Sequence, residues 1–284
     1  MPARDVGIAL LPYDSARHGE RMGAGPSHLV ANGLVERLRG AGHATSVADI
    51  APTSGSWVAE IGTAFDLDRQ LAASVAATRT RDAFPLTLAG NCISSVGTLA
   101  GLGAGRTGML WFDAHGDFNT PESTVGGFLD GMALAIATGR CWTSLAASVP
   151  GFTPVADEDV VLVGGRDLDP VEGELLRASR VQHIAPDAPA SRIAESVETI
   201  ARRVHRLYVH VDLDVLDASE GRANGYAGGP GITLGALLAV IEAAGARCPI
   251  AAGALTAYDP AYDGDGRMAA AAIQVALALA AAAR

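Results

Sequence analysis

The chain has 284 residues, 49% of them hydrophobic and 18% charged, so it can bury a sizeable core and is neither a disordered chain nor a disulfide-stabilised miniprotein. All 21 basic residues are arginine, which excludes chemistry that needs a lysine, such as Schiff-base formation. The net charge of -10 argues against nucleic acids and anionic membranes as partners, because both attract positively charged proteins.

The chain contains three widely spaced cysteines, Cys92, Cys141 and Cys248, too few for a disulfide framework. A reducing, cytoplasmic location is the simpler expectation. The N-terminal segment turns polar too early for a secretion signal. The longest apolar run, 268–283, is alanine-rich and short, and it is predicted to be a packed terminal helix rather than a membrane span.

Short β-prone runs recur along the chain and are separated by segments long enough for a helix. The first helical segment is 25–43, where Leu29, Val30, Leu34, Val35 and Leu38 have helical spacing. The alternation predicts one α/β domain over residues 1–284, with three αβα layers and a mostly parallel central sheet. The predicted strands are 5–11, 84–90, 108–115, 160–167, 207–214 and 250–259.

Polar segments follow the predicted strands at the points where the apolar runs end. The carboxyl ends of parallel strands lie at one edge of a sheet, where ligands bind in a crevice. These segments are therefore expected to converge on one site: 90–92, 113–117, 166–169, 212–214 and 258–259.

Acidic residues alternate with other residues in two of these segments. Asp113, His115 and Asp117 can face one space, as can Asp212 and Asp214, because residues two apart on an extended chain point the same way. Four carboxylates brought together repel one another unless cations neutralise them. The pattern favours two divalent ions, with manganese better suited than zinc to an oxygen-rich site.

Other interpretations of these residues remain open. Acidic residues in loops are usually solvated and bind nothing. Cys92 could supply a thiolate that makes zinc a candidate, or it could be a buried thiol with no role.

Four sequence motifs carry a resemblance to a known family. The chain resembles the ureohydrolase superfamily, and arginases within it most closely. The motifs are a glycine-rich opening at 19–29, DAHGDFNTP at 113–121, GRDLDPVE at 165–172 and HVDLDVLDA at 210–218.

The resemblance implies a binuclear manganese hydrolase that cleaves a C–N bond at a guanidino-type carbon. A hydroxide that bridges the two Mn²⁺ ions would attack this carbon, and Asp117 would orient the hydroxide. Asp113 and Asp212 would bridge the ions, Asp117 would bind one of them, and His115 and Asp214 would bind the other.

The amino-acid end of the substrate site also matches the family. By resemblance, Asn119 and Thr124 hold the substrate α-carboxylate, and Asp169, with Glu172 behind it, receives the α-amino group. From the residues alone, Asn119 and Thr124 could be turn residues and Asp169 a helix cap.

The chain departs from the family pattern at four positions of the site. The GGDHS motif is replaced by AGNCI at 89–93, so that Cys92 stands in place of a histidine ligand. The GNLHG motif is replaced by GFLDG at 127–131, where Asp130 becomes the candidate proton donor to the leaving amine. The glutamate that pairs with the guanidinium is replaced by Ala257, and its threonine neighbour by Tyr226.

These departures favour a substrate whose head group is less basic than guanidinium. The prediction is hydrolysis of Nω-hydroxy-L-arginine, a small-molecule amino acid, to hydroxyurea and L-ornithine. Alternatives are arginase activity, hydrolysis of a formimino or amidine amino acid, and a catalytically silent ureohydrolase-like binding protein. The resemblance leaves open whether the chain forms a homo-oligomer.

Overall fold

The computed structural model describes residues 3–53 and 59–283, and these residues contain ten strands. Eight strands form one sheet that is parallel throughout, in the order β4-β1-β5-β10-β9-β6-β7-β8, and β2 and β3 form a small antiparallel hairpin. The strands are β1 (Val6–Leu11), β2 (Tyr13–Asp14), β3 (Arg17–His18), β4 (Thr45–Asp49), β5 (Phe84–Ala89), β6 (Thr107–Phe112), β7 (Val160–Val163), β8 (Gln182–Ile184), β9 (Arg206–Asp212) and β10 (Ile250–Thr256).

Helices cover both faces of the sheet, which confirms the predicted three-layer αβα architecture. Alternate residues of a strand point to opposite faces, so that Leu110 and Phe112 enter one apolar core and Met109 and Trp111 the other. The helices are α1 (Gly25–Ala31), α2 (Leu34–Gly40), α3 (Glu60–Thr80), α4 (Ser95–Leu102), α5 (Ala133–Ala137), α6 (Thr143–Ala147), α7 (Pro170–Ala178), α8 (Ala190–Ala201), α9 (Leu234–Arg247) and α10 (Arg267–Ala282).

The six predicted strands are all present. β1 ends where predicted and β5 one residue earlier, whereas the other four strands end two to four residues before the predicted polar end. The two outermost strands of the sheet, β4 and β8, were not predicted. β4 is largely exposed and β8 has only three residues, so neither has the apolar run that marks a buried strand.

The segment 25–43 forms two short helices, α1 and α2, where a single helix was expected. Asn32 and Gly33 separate them, and Gly33 has φ 89°, a left-handed conformation that glycine adopts without strain. The chain turns at this point, yet Leu29, Leu34, Val35 and Leu38 still reach the same core. The terminal helix α10 forms as predicted. No helix in the described part of the chain is long and apolar enough to cross a membrane.

The register of the central strands positions the candidate site. Phe112 of β6 lies opposite Val211 of β9, so the next residues, Asp113 and Asp212, lie side by side where the two strands end. Thr256 of β10 lies opposite Asp212 on the other flank of β9. The polar segments predicted to converge therefore follow neighbouring strands at one edge of the sheet.

Candidate metal centre and substrate pocket

Two groups of potential metal ligands lie at this edge of the sheet. One contains Cys92, Asp113 and Asp212, and the other contains Asp113, His115 and Asp214. Within each group the candidate ligand atoms lie within 4.8 Å of one another. Asp113 belongs to both groups, as expected of a residue that bridges two ions.

Hydrogen bonds from backbone N–H groups and from one indole fix these carboxylates in place. Asp113 accepts hydrogen bonds from the Trp111 indole nitrogen at 3.0 Å and from the backbone nitrogen of His115 at 2.7 Å. Asp214 accepts one from the backbone of Ala114 at 3.1 Å, and Asp212 accepts one from the backbone of Asp214 at 2.9 Å. The ligand oxygens are thus held by the ends of two strands before any ion binds.

The buried carboxylates of this cluster repel one another, which favours the binding of a cation. Burial, followed by the neighbouring carboxylates, raises the pKa of Asp117 and of Asp212 well above the usual value. Burial by itself lowers the pKa of His115. Hydrogen bonds to Asp113 and Asp214, together with the negative charges of both, outweigh burial and raise this pKa. The two carboxylates therefore favour the protonated form of His115, whose Nδ1 lies 3.4 Å from an Asp113 oxygen and 3.2 Å from an Asp214 oxygen.

Asp117 supplies a further observation that fits a metal. Its Oδ2 is buried and has no hydrogen-bond partner among the described residues. Its backbone has φ 48°, an uncommon conformation for a residue other than glycine and one that is often retained at functional sites. A buried carboxylate oxygen with free lone pairs, beside two groups of ligands, suits a divalent cation. The residues present therefore fit a binuclear metal centre.

Cys92 is buried against the same centre. Its thiol donates to Asp212 Oδ2 at 3.2 Å, and its sulfur lies 3.2 Å from the Thr256 hydroxyl. Burial, followed by the charges of the nearby acids, raises the pKa of Cys92 well above the usual value. The side chain is thus a neutral thiol in the metal-free protein, and a bound cation is needed to make it a thiolate.

Behind Cys92, a chain of buried side chains supports the centre. The Thr256 hydroxyl lies 3.2 Å from His210 Nε2, and the Tyr208 hydroxyl lies 2.8 Å from His210 Nδ1. His210 stacks on Trp111 at a centroid distance of 3.7 Å, and burial lowers its pKa to about 3. His210 is thus a neutral, fully hydrogen-bonded strand residue that packs against the indole that binds Asp113.

We expect Cys92→Ser to weaken metal binding at one site only, because Cys92 belongs to one of the two ligand groups. The affinity of that site should fall about 10- to 100-fold, the range seen when a residue that supports a metal site is removed. Calorimetric titration of the metal-free protein measures both affinities. Cys141→Ser, which alters a buried thiol outside the centre, is the matched control. Unchanged affinity at both sites would leave Cys92 as a core residue without a ligand role.

A cavity of about 280 Å³ opens beside the metal-ligand groups. It is strongly acidic, which suits a substrate that carries an amino group. All the residues predicted to bind substrate or to act in catalysis line this cavity: Asp117, Asn119, Thr124, Asp130, Asp169, Glu172 and Tyr226.

The residues predicted to bind the amino-acid end contact one another. Asn119 donates to Asp169 Oδ2 at 3.1 Å. The Thr124 hydroxyl accepts from the Gly127 backbone at 3.0 Å, which leaves its own proton free to donate. Glu172 accepts from the backbone nitrogens of Phe118 at 2.8 Å and Asp169 at 3.1 Å. Glu172 therefore holds the two loops together, and Asp169 is both a helix cap and a cavity residue.

Asp130 lies in the cavity wall with both carboxylate oxygens engaged. Oδ1 accepts from the Ile93 backbone and Oδ2 from the Asn91 side chain, each at 2.9 Å. Burial raises the pKa of Asp130 to about 7, the range in which a carboxyl group can give up a proton at neutral pH.

Several cavity residues were not predicted from the sequence, and Asn224 is the most connected of them. It is buried, donates to the Ala257 carbonyl at 2.8 Å, and accepts from the backbones of Tyr226 and Ala227, both at 2.8 Å. It thereby ties the loop that carries Tyr226 to Ala257, which has φ 59°. An asparagine before a glycine usually marks a turn, so the sequence offered no signal of this role.

Known proteins match this chain over a range that includes every residue of this site. The model of the arginase family matches residues 4–281. An arginase of Bacillus caldovelox is 31% identical over 236 residues, 76% of this chain and 78% of that protein. An arginase of Brevibacillus brevis is 29% identical over 229 residues, 75% and 76% of the two chains. The solved structure of the Bacillus caldovelox arginase matches with a TM-score of 0.88 at 26% identity, and covers 97% of this chain and 98% of that one.

Proposed function

Because this chain belongs to the arginase family and is a metal-dependent hydrolase of the ureohydrolase type, we propose that its substrate is Nω-hydroxy-L-arginine. Water adds to the central carbon of the head group, and the bond between this carbon and the side-chain nitrogen breaks. The products are hydroxyurea and L-ornithine.

The observation that carries this proposal is the residue at position 257. Where the family motif has a glutamate that pairs with the guanidinium, Ala257 presents only a methyl group to the cavity. A cationic guanidinium without its partner is costly to bury. An N-hydroxyguanidine is neutral more easily, so it loses less when that partner is absent.

We propose two Mn²⁺ ions as the resident metals. When bound, such ions activate a water molecule for nucleophilic attack and offset developing negative charge. Cys92, Asp113, Asp117 and Asp212 would hold one ion, and Asp113, His115, Asp212 and Asp214 the other.

The remaining polar side chains bind the substrate and move a proton. Asp169 accepts from the α-ammonium group, while the free protons of Asn119 and Thr124 are donated to the α-carboxylate. Asp130 gives its proton to the side-chain nitrogen as the C–N bond breaks, so that ornithine leaves as an amine. Ser123 donates to the Asn119 carbonyl oxygen at 2.9 Å, which directs the Asn119 amide nitrogen toward Asp169.

A substrate panel tests the proposal directly. The protein loaded with Mn²⁺ is assayed with Nω-hydroxy-L-arginine, L-arginine, agmatine and a formimino amino acid, and the products are identified. We expect kcat/KM for the hydroxylated substrate to exceed that for arginine about 10- to 100-fold, the cost of an unpaired buried charge. Equal or better use of arginine would reject the proposal. Full metal occupancy without any turnover would indicate a binding protein.

Arginase activity is the second candidate, because the relatives that the chain resembles are named arginases. Ala257→Glu separates the two candidates, since it restores the charge that a guanidinium needs. We expect this variant to raise kcat/KM for arginine about tenfold and to leave Nω-hydroxy-L-arginine unimproved. Val125→Ala, at an exposed residue, is the control. A variant with no change in the arginine-to-hydroxyarginine ratio would contradict the assigned role of position 257.

The role of Asp169 leads to a prediction about substrate binding. Asp169→Asn keeps the size and the helix-capping ability of the side chain but removes the charge that attracts the α-ammonium group. We expect KM to rise about 10- to 100-fold, the value of a hydrogen bond to a charged group, with kcat nearly unchanged. Steady-state kinetics measure both constants. An intact KM would contradict the role in binding the α-amino group.

We also propose that the protein acts in the cytoplasm. All three cysteines are free, as expected in a reducing compartment. Localisation of the tagged protein in its native host would test this.

A further inference from the structure

Two departures from the family pattern meet in one hydrogen bond. Position 91 has asparagine where the GGDHS motif has aspartate, and position 130 has aspartate where the GNLHG motif has histidine. The two side chains are buried and joined, with Asn91 Nδ2 donating to Asp130 Oδ2 at 2.9 Å. Because the two side chains are in direct contact, a change at either position alters the surroundings of the other.

The surroundings of Asn91 require a side chain with both a donor and an acceptor. Its Oδ1 accepts from the backbone nitrogen of Ser15 at 2.8 Å, which orients the amide. The opposite end, Nδ2, therefore faces two carboxylates, Asp130 at 2.9 Å and Asp14 at 3.4 Å. An ionised aspartate at position 91 has no donor and would place a third negative charge there.

The hairpin formed by β2 and β3 packs against Asn91 and contributes Asp14 and Ser15 to its hydrogen bonds. Asp14 is fully buried and is bound by the Arg21 guanidinium, with two contacts of 2.9 Å. Ser15, Ala16 and Arg21 all have positive φ, of 47°, 62° and 45°. Non-glycine residues keep such conformations only where the surrounding structure holds them. The hairpin thus holds Asn91 through the contacts with Ser15 and Asp14.

We propose that Asn91 is the positioning residue for Asp130. Donors from Asn91 and from the Ile93 backbone bind one carboxylate oxygen each, which sets the plane of the carboxyl group. Each oxygen keeps lone-pair capacity that can face the cavity. This inference rests on the proposed function, in which Asp130 gives a proton to the leaving nitrogen.

A double-mutant cycle tests whether Asn91 acts through Asp130. With Nω-hydroxy-L-arginine as substrate, we expect Asp130→Asn to lower kcat about 100-fold and Asn91→Ala about tenfold, each with KM little changed. Because Asn91 works through Asp130, adding Asn91→Ala to Asp130→Asn should cause no further loss. Asn32→Ala, at an exposed asparagine that binds a helix carbonyl, is the control and should leave kcat unchanged.

The Asn91→Asp change, made in two backgrounds, tests whether its effect on kcat reverses when residue 130 changes. Asn91→Asp is expected to lower kcat more than Asn91→Ala in the native background, because it opposes Asp130 with a like charge. In the Asp130→His background the same Asn91→Asp change should raise kcat, since it re-creates the family pair.

The outcomes separate the inference from the proposed function. Three results would each overturn the positioning role while the native protein still turns over substrate. They are losses that multiply in the double-mutant cycle, an Asn91→Asp change that lowers kcat in both backgrounds, and a fall in metal content that matches the fall in kcat. A native protein that turns over no member of the substrate panel when metal is bound overturns the proposed function, and the inference with it.

Discussion

Asp113→Asn is expected to abolish metal loading at both sites and to bring hydrolysis below detection. Asp113 is the residue shared by the two ligand groups, and it is fully buried among other carboxylates. Asparagine keeps the shape of the side chain but removes the negative charge that two cations share. Asp212, the other residue proposed to bridge the ions, belongs to only one of the two groups among the described residues, so it cannot take over the role of Asp113.

The measurement compares each protein with and without Mn²⁺. For the native chain, metal at a concentration of 100 times Kd should stabilise the fold by about 2.7 kcal/mol per site. The variant should show no metal-dependent shift in thermal midpoint and no bound metal by elemental analysis. Because each protein is its own reference, a change in intrinsic stability cancels. Asp265→Asn, at an exposed acid paired with Arg267, is the control. Normal metal content in Asp113→Asn would reject the bridging assignment.

Stability of the metal-free protein is expected to fall as the pH rises from about 4, and bound metal is expected to reverse this fall. Burial and neighbouring carboxylates raise the pKa of Asp117 and Asp212 in the folded protein, whereas aspartate in an unfolded chain titrates near 3.9. A raised folded-state pKa gives stability that is complete below the unfolded value and is lost as the pH rises through the folded value. Asp214, whose pKa is lowered, has the opposite sign and matters only below about pH 4.

Metal affinity should follow the same groups. Binding must displace protons from Asp117, Asp212, the Cys92 thiol and protonated His115, so the apparent affinity rises with pH, up to about tenfold per unit for each proton released. Thermal melts and metal titrations between about pH 5 and 8 measure both effects. Asp117→Asn should flatten the pH dependence of the metal-free protein. A metal-induced shift in midpoint that is constant over this range would contradict the assignment of these groups.

Periodicity predicted the architecture of the sheet well because its strands are buried on both faces. β5, β6 and β9 are mostly apolar and are buried along nearly their whole length, as expected of covered strands in a parallel sheet. The outer strands β4 and β8 lack such runs, since one edge of each faces no neighbouring strand. The break between α1 and α2 is set by Gly33, whose positive φ has no signature in the apolar spacing.

Residue types and spacing alone predicted the candidate metal ligands, because carboxylates that converge at the ends of apolar strands repel one another unless cations neutralise them. The resemblance also identified Cys92, Asp130, Tyr226 and Ala257 among the positions where this chain departs from its family. The first inference needs only residue types and spacing, whereas the second also needs the resemblance to the family.

The way in which those residues work together depends on contacts that form only in the folded chain. The contacts of Asn91 with Asp130 and of Asn224 with Ala257 join residues that are 39 and 33 positions apart in the chain. The orientation of an amide and the pKa of a buried acid depend on every group packed around them. Such surroundings come from segments distant in sequence, so no local pattern encodes them.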